Sequence, residues 1–228
     1  MVVRERPAGW VLVIALALGV AACGGEEPSV PQVAATPTAD PELVGEVSAT
    51  FATYRSGVVQ GDAGAVLGAL DEGSVEAMAR VAELAETADE ATVRDLPAAD
   101  QLLVLTYRLR PELLEGDDPY ENLVEAGLAG QDRSLGDLGD ISPVRDDVAF
   151  GVVTDPATSA PTPQRWRFER EGDVWRFDLV EAHRLLSDAI DAAADRAGVG
   201  VDDLVAATVV DLSGEDPRTV QELYTETP

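Results

Sequence analysis

The chain has 228 residues and a formal net charge of −27 at pH 7, from 43 acidic residues against 16 basic ones, all of which are arginine. This charge leaves no basic patch that could neutralise phosphates, so it excludes nucleic acid as a partner and repels the folded part from anionic lipid. The chain has one cysteine, Cys23, and one histidine, His183, which excludes zinc sites of the usual Cys/His type and catalysts built on several histidines. We therefore predict no cofactor and no metal. The acidity fits either a surface adapted to high salt or a biased codon usage.

The first 22 residues predict a secretory signal peptide. Arg4 and Arg6 form a short positive start, and the thirteen residues from Trp10 to Ala22 carry no charge. A membrane-spanning helix needs roughly 20 apolar residues, so this run fits the core of a signal peptide better than a membrane anchor. The run ends in Val20-Ala21-Ala22-Cys23, which resembles the bacterial lipobox.

The lipobox resemblance implies that the sulfur of Cys23 receives a diacylglycerol and that Cys23 becomes the mature N-terminus. Acyl chains would then hold the protein to the cell membrane on its extracytoplasmic face. Residues 23–40 contain three prolines and no apolar period, which predicts a disordered tether between the anchor and the folded part. Two alternatives stay open: an ordinary cleavage site beside a chance cysteine, and an uncleaved anchor.

A long helix is predicted to begin the folded part. Asp40 supplies an N-cap carboxylate, Pro41 suits the first helical turn, and Gly61 ends the helix. Between them, apolar residues recur every three or four positions, which predicts one buried stripe. The stripe consists of Leu43, Val47, Phe51, Tyr54 and Val58.

Four further helical segments are predicted before the strands. Asp62 caps a short helix, and Ser74 opens the next one. Residues 101–110 are predicted as a helix, although their central Leu-Val-Leu-Thr-Tyr would also suit a strand. Residues 120–130 predict one more short helix.

From about Ile141 the apolar period changes from near 3.6 to 2, which predicts strands. Residues 148–154 form one strand, and residues 164–169 and 174–180 form a hairpin about the turn Glu171-Gly172. This hairpin should place four aromatic side chains on one face. The predicted pairs are Arg170 with Asp173, Phe168 with Trp175, Trp166 with Phe177 and, on the other face, Arg165 with Asp178.

The C-terminal residues return to a helical pattern. Residues 181–214 predict a helical extension whose helices stop at Gly198 and Gly214. Residues 215–228 predict a loose tail. The order of helices, then strands, then helices predicts an α+β fold.

Three features of residues 41–180 resemble the nuclear transport factor two-like superfamily, although residues 101–130 match poorly. The resemblance implies a cone-like α+β domain over residues 41–180, in which N-terminal helices pack on a curved antiparallel sheet with a pocket at the open end. The three features are the opening helix with Phe51, Tyr54 and the following Gly61-Asp62, the run Arg145-Asp146-Asp147-Val148-Ala149 that enters a strand, and the run from Arg170 to Asp178.

The resemblance implies a pocket but does not decide the function. Some members of the superfamily are enzymes that use Asp, His or Tyr side chains as acids or bases. Many others bind ligands or proteins without known chemistry.

Seven side chains are candidates for lining such a pocket. A tyrosine hydroxyl could stabilise an oxyanion, and His183 is the first candidate for a general base because free histidine titrates near neutral pH. The alternatives are a packed core face for the aromatic residues and an exposed or capping role for His183. The seven are Tyr54, Tyr107, Trp166, Phe168, Trp175, Phe177 and His183.

We predict a lipid-anchored, extracytoplasmic binding or interaction module without catalysis, whose partner is an unknown protein or a small apolar ligand. The alternative is a small cofactor-free isomerase or hydro-lyase. It needs His183 or a tyrosine in an enclosed cavity, beside a buried acid with a raised pKa. A third hypothesis makes the C-terminal helices a docking surface in a structural component of the envelope.

Overall fold

The computed structural model describes residues 40–129, 137–155 and 158–225. Over these ranges the chain forms nine α-helices, one short 3-10 helix and a four-stranded antiparallel sheet, so the predicted α+β class is confirmed. The predicted signal peptide, the predicted lipidation site Cys23 and the predicted tether up to residue 39 lie outside the described residues. Each helix of the described part is too short or too polar to cross a bilayer.

The helices precede and follow the sheet. Six come before it and three after it, and the 3-10 helix (Pro111–Leu114) lies between α5 and α6. They are α1 (Pro41–Gln60), α2 (Ala63–Ala69), α3 (Glu72–Thr87), α4 (Glu90–Arg94), α5 (Ala98–Leu109), α6 (Pro119–Glu125), α7 (Leu179–Ala197), α8 (Val201–Ser213) and α9 (Pro217–Glu222).

Helix α1 matches its prediction at both ends. The Asp40 carboxylate accepts the backbone N–H of Glu42 at 2.9 Å, which caps the first turn. Gly61 ends the helix with a φ of +70°, a left-handed conformation that glycine adopts without strain. The predicted stripe packs into the core, with Leu43 partly buried and its other members buried.

Helix α5 settles the ambiguity between helix and strand at residues 101–110. Nine of its twelve residues are buried, because α3, α7 and α8 pack around it. A helix that is enclosed on most sides needs no polar face, which explains a sequence dense in leucine.

Helix α4 and the 3-10 helix were not predicted. Helix α3 begins before Ser74, because Asp71 is its cap and accepts the Ser74 N–H at 2.6 Å.

The sheet is an open antiparallel meander in the order β1-β2-β3-β4. The predicted strand at residues 148–154 is confirmed. The next strand begins three residues before its predicted start at residue 164, and the last one ends at Phe177 and not at residue 180. The strand before residue 148 was expected only as a change of period from about Ile141, and it begins at Asp137. Helix α1 packs against β4 and β1. The strands are β1 (Asp137–Arg145), β2 (Val148–Thr154), β3 (Pro161–Glu171) and β4 (Val174–Phe177).

The predicted hairpin forms, but its register is shifted by two residues. The turn is centred on Gly172-Asp173, and Gly172 has a φ of +62°. The first central residue of such a two-residue turn needs positive φ, and the predicted register would have placed Glu171 there. Because the shift is even, the aromatic side chains still share one face. The observed pairs are Phe168 with Phe177, Glu169 with Arg176, Arg170 with Trp175 and Glu171 with Val174.

The same shift corrects the predicted partner of Asp178. Arg167, and not Arg165, lies opposite Asp178, with 2.5 Å between Nη1 and Oδ2. Strand β4 has already ended at this point, and the Asp178 carboxylate caps α7 by accepting the Glu181 N–H at 2.8 Å.

The C-terminal helices belong to the same hydrophobic core as α1, α5 and the sheet. The predicted helix stops at Gly198 and Gly214 are confirmed, with φ of +68° and +75°. The loose tail predicted for residues 215–228 is corrected over residues 217–225. These residues form α9 and the turn that follows it, and they bury Val220 and Tyr224 completely.

Candidate functional site

Four of the seven predicted pocket residues pack together between α1 and the sheet. Tyr54, Trp166, Phe168 and Phe177 join Phe51 in what we call the aromatic cluster, and each keeps 4% exposure or less. Phe177 lies at its centre, with its ring centroid 4.8 Å from Tyr54, 5.5 Å from Phe168, 5.6 Å from Phe51 and 6.0 Å from Trp166. These residues form a close-packed core face and do not line an open pocket.

Three of the candidates carry a buried polar atom that lacks a hydrogen-bond partner among the described residues. They are the Tyr107 hydroxyl, the indole Nε1 of Trp166 and the imidazole Nδ1 of His183. Burial raises the pKa of Tyr107 well above its ordinary value, and the nearby Asp118 carboxylate adds to the rise. A tyrosine whose pKa is raised stays protonated, so Tyr107 is unsuited to act as a base at neutral pH.

His183 of α7 lies beside Asp100 of α5. Its Nδ1 is 3.7 Å from the nearer carboxylate oxygen, which is longer than a hydrogen bond, and its side chain is 13% exposed. The hydroxyl of nearby Ser187 accepts the Ala99 N–H and donates to the His183 carbonyl, each at 3.0 Å. Because that hydroxyl is bound to the backbone, these residues join α5 to α7 and do not form a nucleophile and base.

An open groove of about 520 Å³ lies where α1 begins and β1 ends, and we call it the α1–β1 groove. Its apolar surface comes from Leu43 of α1, Pro143 and Val144 of β1, and Trp175 of β4. Trp175 is 2% exposed and Val144 is 63% exposed, so the groove runs from the buried indole to solvent. Trp175 is the member of the predicted set that this groove contacts.

Charged side chains form the rim of the α1–β1 groove. Three carboxylates stand on the α1 side. The end of β1 and β3 each supply one arginine, and the β1–β2 turn supplies one more carboxylate. The charges are exposed and screened by salt, so the apolar surface must provide most of any binding energy. The rim consists of Asp40, Glu42, Glu46, Arg145, Asp146 and Arg170.

A buried acid with a raised pKa is present, but it has a structural role. Asp71 is 5% exposed, and its burial raises its pKa, with a smaller contribution from Asp178 and Glu169. Its carboxylate caps α3 through Ser74. The neighbours that affect its pKa are therefore other acids and a serine, and not His183 or a tyrosine. Across the described ranges, no three His, Cys, Asp or Glu side chains converge as metal ligands would.

Arg108 is a buried residue that the sequence reasoning missed. It is 5% exposed and donates to four backbone carbonyls, two at the end of α3 and two just after α9. The distances are 2.9 Å to Ala85, 2.5 Å to Ala88, 2.8 Å to Leu223 and 3.0 Å to Tyr224. The carboxyl ends of two helices thus replace a counter-ion. Its one sequence signal is an arginine within a leucine-dense helix.

The chain matches no family model, no curated protein and no solved structure. The features that bear on its function are the sequence of the N-terminal segment and the geometry of the α1–β1 groove.

Proposed function

We propose that the protein is a lipid-anchored, extracytoplasmic binding module of a bacterial cell envelope, and that it is not an enzyme. The observation that supports the anchor is the uncharged run that ends in Val20-Ala21-Ala22-Cys23. Each buried methylene of an acyl chain contributes about 0.8 kcal/mol, so two or three chains hold the protein at a bilayer. The net charge of −27 would otherwise keep the folded part away from anionic lipid.

In this proposal the α1–β1 groove is the binding surface. Its volume of about 520 Å³ lies within the usual range for small-ligand sites. Leu43, Val144 and Trp175 offer apolar contact, while the rim charges stay in water. This arrangement suits a small apolar ligand or the apolar side chain of a partner protein.

We further propose that the sheet curves around α1 as a cone of the nuclear transport factor two-like type, with the groove at its open end and α7–α9 as a C-terminal extension. Two observations support this. The aromatic cluster lies between α1 and the sheet, and the β1–β2 and β2–β3 pairs contain register shifts. Such irregularities bend strands.

The alternative of an isomerase or hydro-lyase has less support. It needs a histidine or tyrosine beside a buried acid in one cavity. Tyr107 and His183 are not among the residues of the groove, and Asp71 caps a helix.

The third hypothesis is a docking surface on the C-terminal helices. Leu212, which is 67% exposed, supports it. Leu185 and Ile190 of α7 argue against it, because they pack against the core.

Titration with N-phenyl-1-naphthylamine, a neutral apolar fluorophore, tests the groove. We expect Val144→Gln to weaken binding roughly fivefold, since one lost apolar contact is worth about 1 kcal/mol. Val59→Gln is the matched control, because Val59 is also 63% exposed but does not line the groove. Equal affinity in both variants, or no binding by the unmodified protein, would argue against this binding surface.

A further inference from the structure

We infer that residues 217–225, which we call the strap, form a detachable unit that opens while the rest of the fold stays intact. The strap comprises α9 and the three residues that follow it. It is joined to α8 through residues 214–216, which are exposed. Gly214 adopts a left-handed conformation with a φ of +75°, and a side chain there would meet open space.

Few apolar side chains hold the strap. Six of its nine residues are exposed, and Val220, Leu223 and Tyr224 are buried. In α5, by contrast, nine of twelve residues are buried. Segments with few buried apolar contacts open at a lower free energy than the global unfolding of the core. Helix α8 also buries three apolar side chains, but only five of its thirteen residues are exposed, against six of nine in the strap. We therefore expect the strap to open before α8.

Polar contacts to three side chains of the helical core secure the strap. The Tyr224 hydroxyl lies 3.1 Å from Oε1 of Gln101 and 3.2 Å from the Asp202 carbonyl. The Arg94 guanidinium lies 4.2 Å from the centre of the Tyr224 ring and also pairs with the Asp202 carboxylate at 2.8 Å. Arg108 donates to the carbonyls of the last two buried residues.

The free-energy cost of opening is limited because Arg108 donates hydrogen bonds both to the end of α3 and to the strap. When the strap leaves, Arg108 keeps its hydrogen bonds to the carbonyls of Ala85 and Ala88 at the end of α3. The buried cation therefore keeps two acceptors when the strap opens. Opening thus avoids the large free-energy cost of leaving a buried charge without any partner.

Amide hydrogen exchange on the full chain tests the inference. The amides of Leu223, Tyr224 and Thr225 donate to carbonyls within the strap, and the amide of Val220 donates to the Asp216 carbonyl just before it. We expect them to exchange at least tenfold faster than the amides of α5, at rates that low urea concentrations do not change. Equal protection of strap and α5 within tenfold, or strap rates that rise with urea in step with those of α5, would overturn the inference.

Two substitutions test whether the Tyr224 hydroxyl holds the strap on the core. Tyr224→Phe removes the hydroxyl and should speed exchange in the strap roughly tenfold, while α5 and the sheet change less than twofold. Arg218→Gln is the matched control, because it breaks the exposed ion pair with Glu222 inside the strap and leaves the contacts between the strap and the core unchanged. We expect it to change exchange in the strap less than twofold. Acceleration of the whole chain by Tyr224→Phe, or an unchanged strap, would contradict the proposal. The unmodified chain supplies an independent test through its urea dependence.

Discussion

Truncation of Phe177 tests whether the aromatic cluster is the centre of the folded core. Its side chain is fully buried, and four other rings surround it at centroid distances of 4.8 to 6.0 Å. A buried Phe→Ala substitution costs about 3–5 kcal/mol, and aromatic pairs add about 0.5–1.5 kcal/mol each. We therefore expect Phe177→Ala to cost about 5 kcal/mol. Since domains unfold with about 5–15 kcal/mol, a third or more of the stability is lost.

Urea unfolding at pH 7, followed by far-UV circular dichroism, measures this cost. Phe150→Ala is the matched control, because Phe150 lies in the same sheet but is partly exposed and faces away from the cluster, opposite Arg167. We expect the control to cost about 1–2 kcal/mol. A loss below about 2 kcal/mol for Phe177→Ala, or equal losses in the two variants, would refute the reasoning.

Four further substitutions test other parts of the fold by the same unfolding assay. Arg108→Met should cost about 3 kcal/mol, because four buried carbonyls lose their donor, and a loss below 1 kcal/mol would contradict this. The pKa of Asp71 is raised in the folded state, so the folded state binds the proton more tightly than the unfolded state. The unmodified protein should therefore gain stability relative to Asp71→Asn as the pH falls from 7 toward 4. A loss of relative stability over this pH range would contradict the prediction. Gly172→Ala should cost about 1 kcal/mol because of its positive φ, whereas Gly68→Ala, in a helix with open space around it, should stabilise by a few tenths or more.

The helices of the N-terminal half could be predicted because their signals are local. Asp40, the apolar stripe and Gly61 lie within 22 residues of one another and act through caps and periodicity. The hairpin register could not be predicted from alternation alone, because two registers that differ by two residues place the same aromatic side chains on the same face. The conformational demand on Gly172 decides between them.

The tail and the groove depend on contacts between residues far apart in the chain. Tyr224 is held by two residues that lie more than 100 positions earlier. Arg108 donates to its backbone carbonyl, and Oε1 of Gln101 accepts a hydrogen bond from its hydroxyl. The α1–β1 groove is lined by both Leu43 and Pro143, which are far apart in the chain. Neither arrangement can be recognised from a local sequence pattern.

The candidate pocket residues illustrate the same limit. Alternation in the hairpin indicates that Trp166, Phe168 and Phe177 share an apolar face, but it does not say whether that face meets a helix or a cavity. In the folded chain α1 covers the face, and Trp175 alone of the hairpin aromatics contacts the groove.

Mass spectrometry of the mature N-terminus, on protein extracted from bacterial membranes, is the most direct test of the proposed lipid anchor. We expect a chain that begins at Cys23 and carries the mass of a diacylglyceryl group, and a Cys23→Ala variant that lacks this mass and is absent from the lipid-modified fraction. A mature chain that begins at another residue, or one that retains an unmodified Cys23, would contradict the proposal.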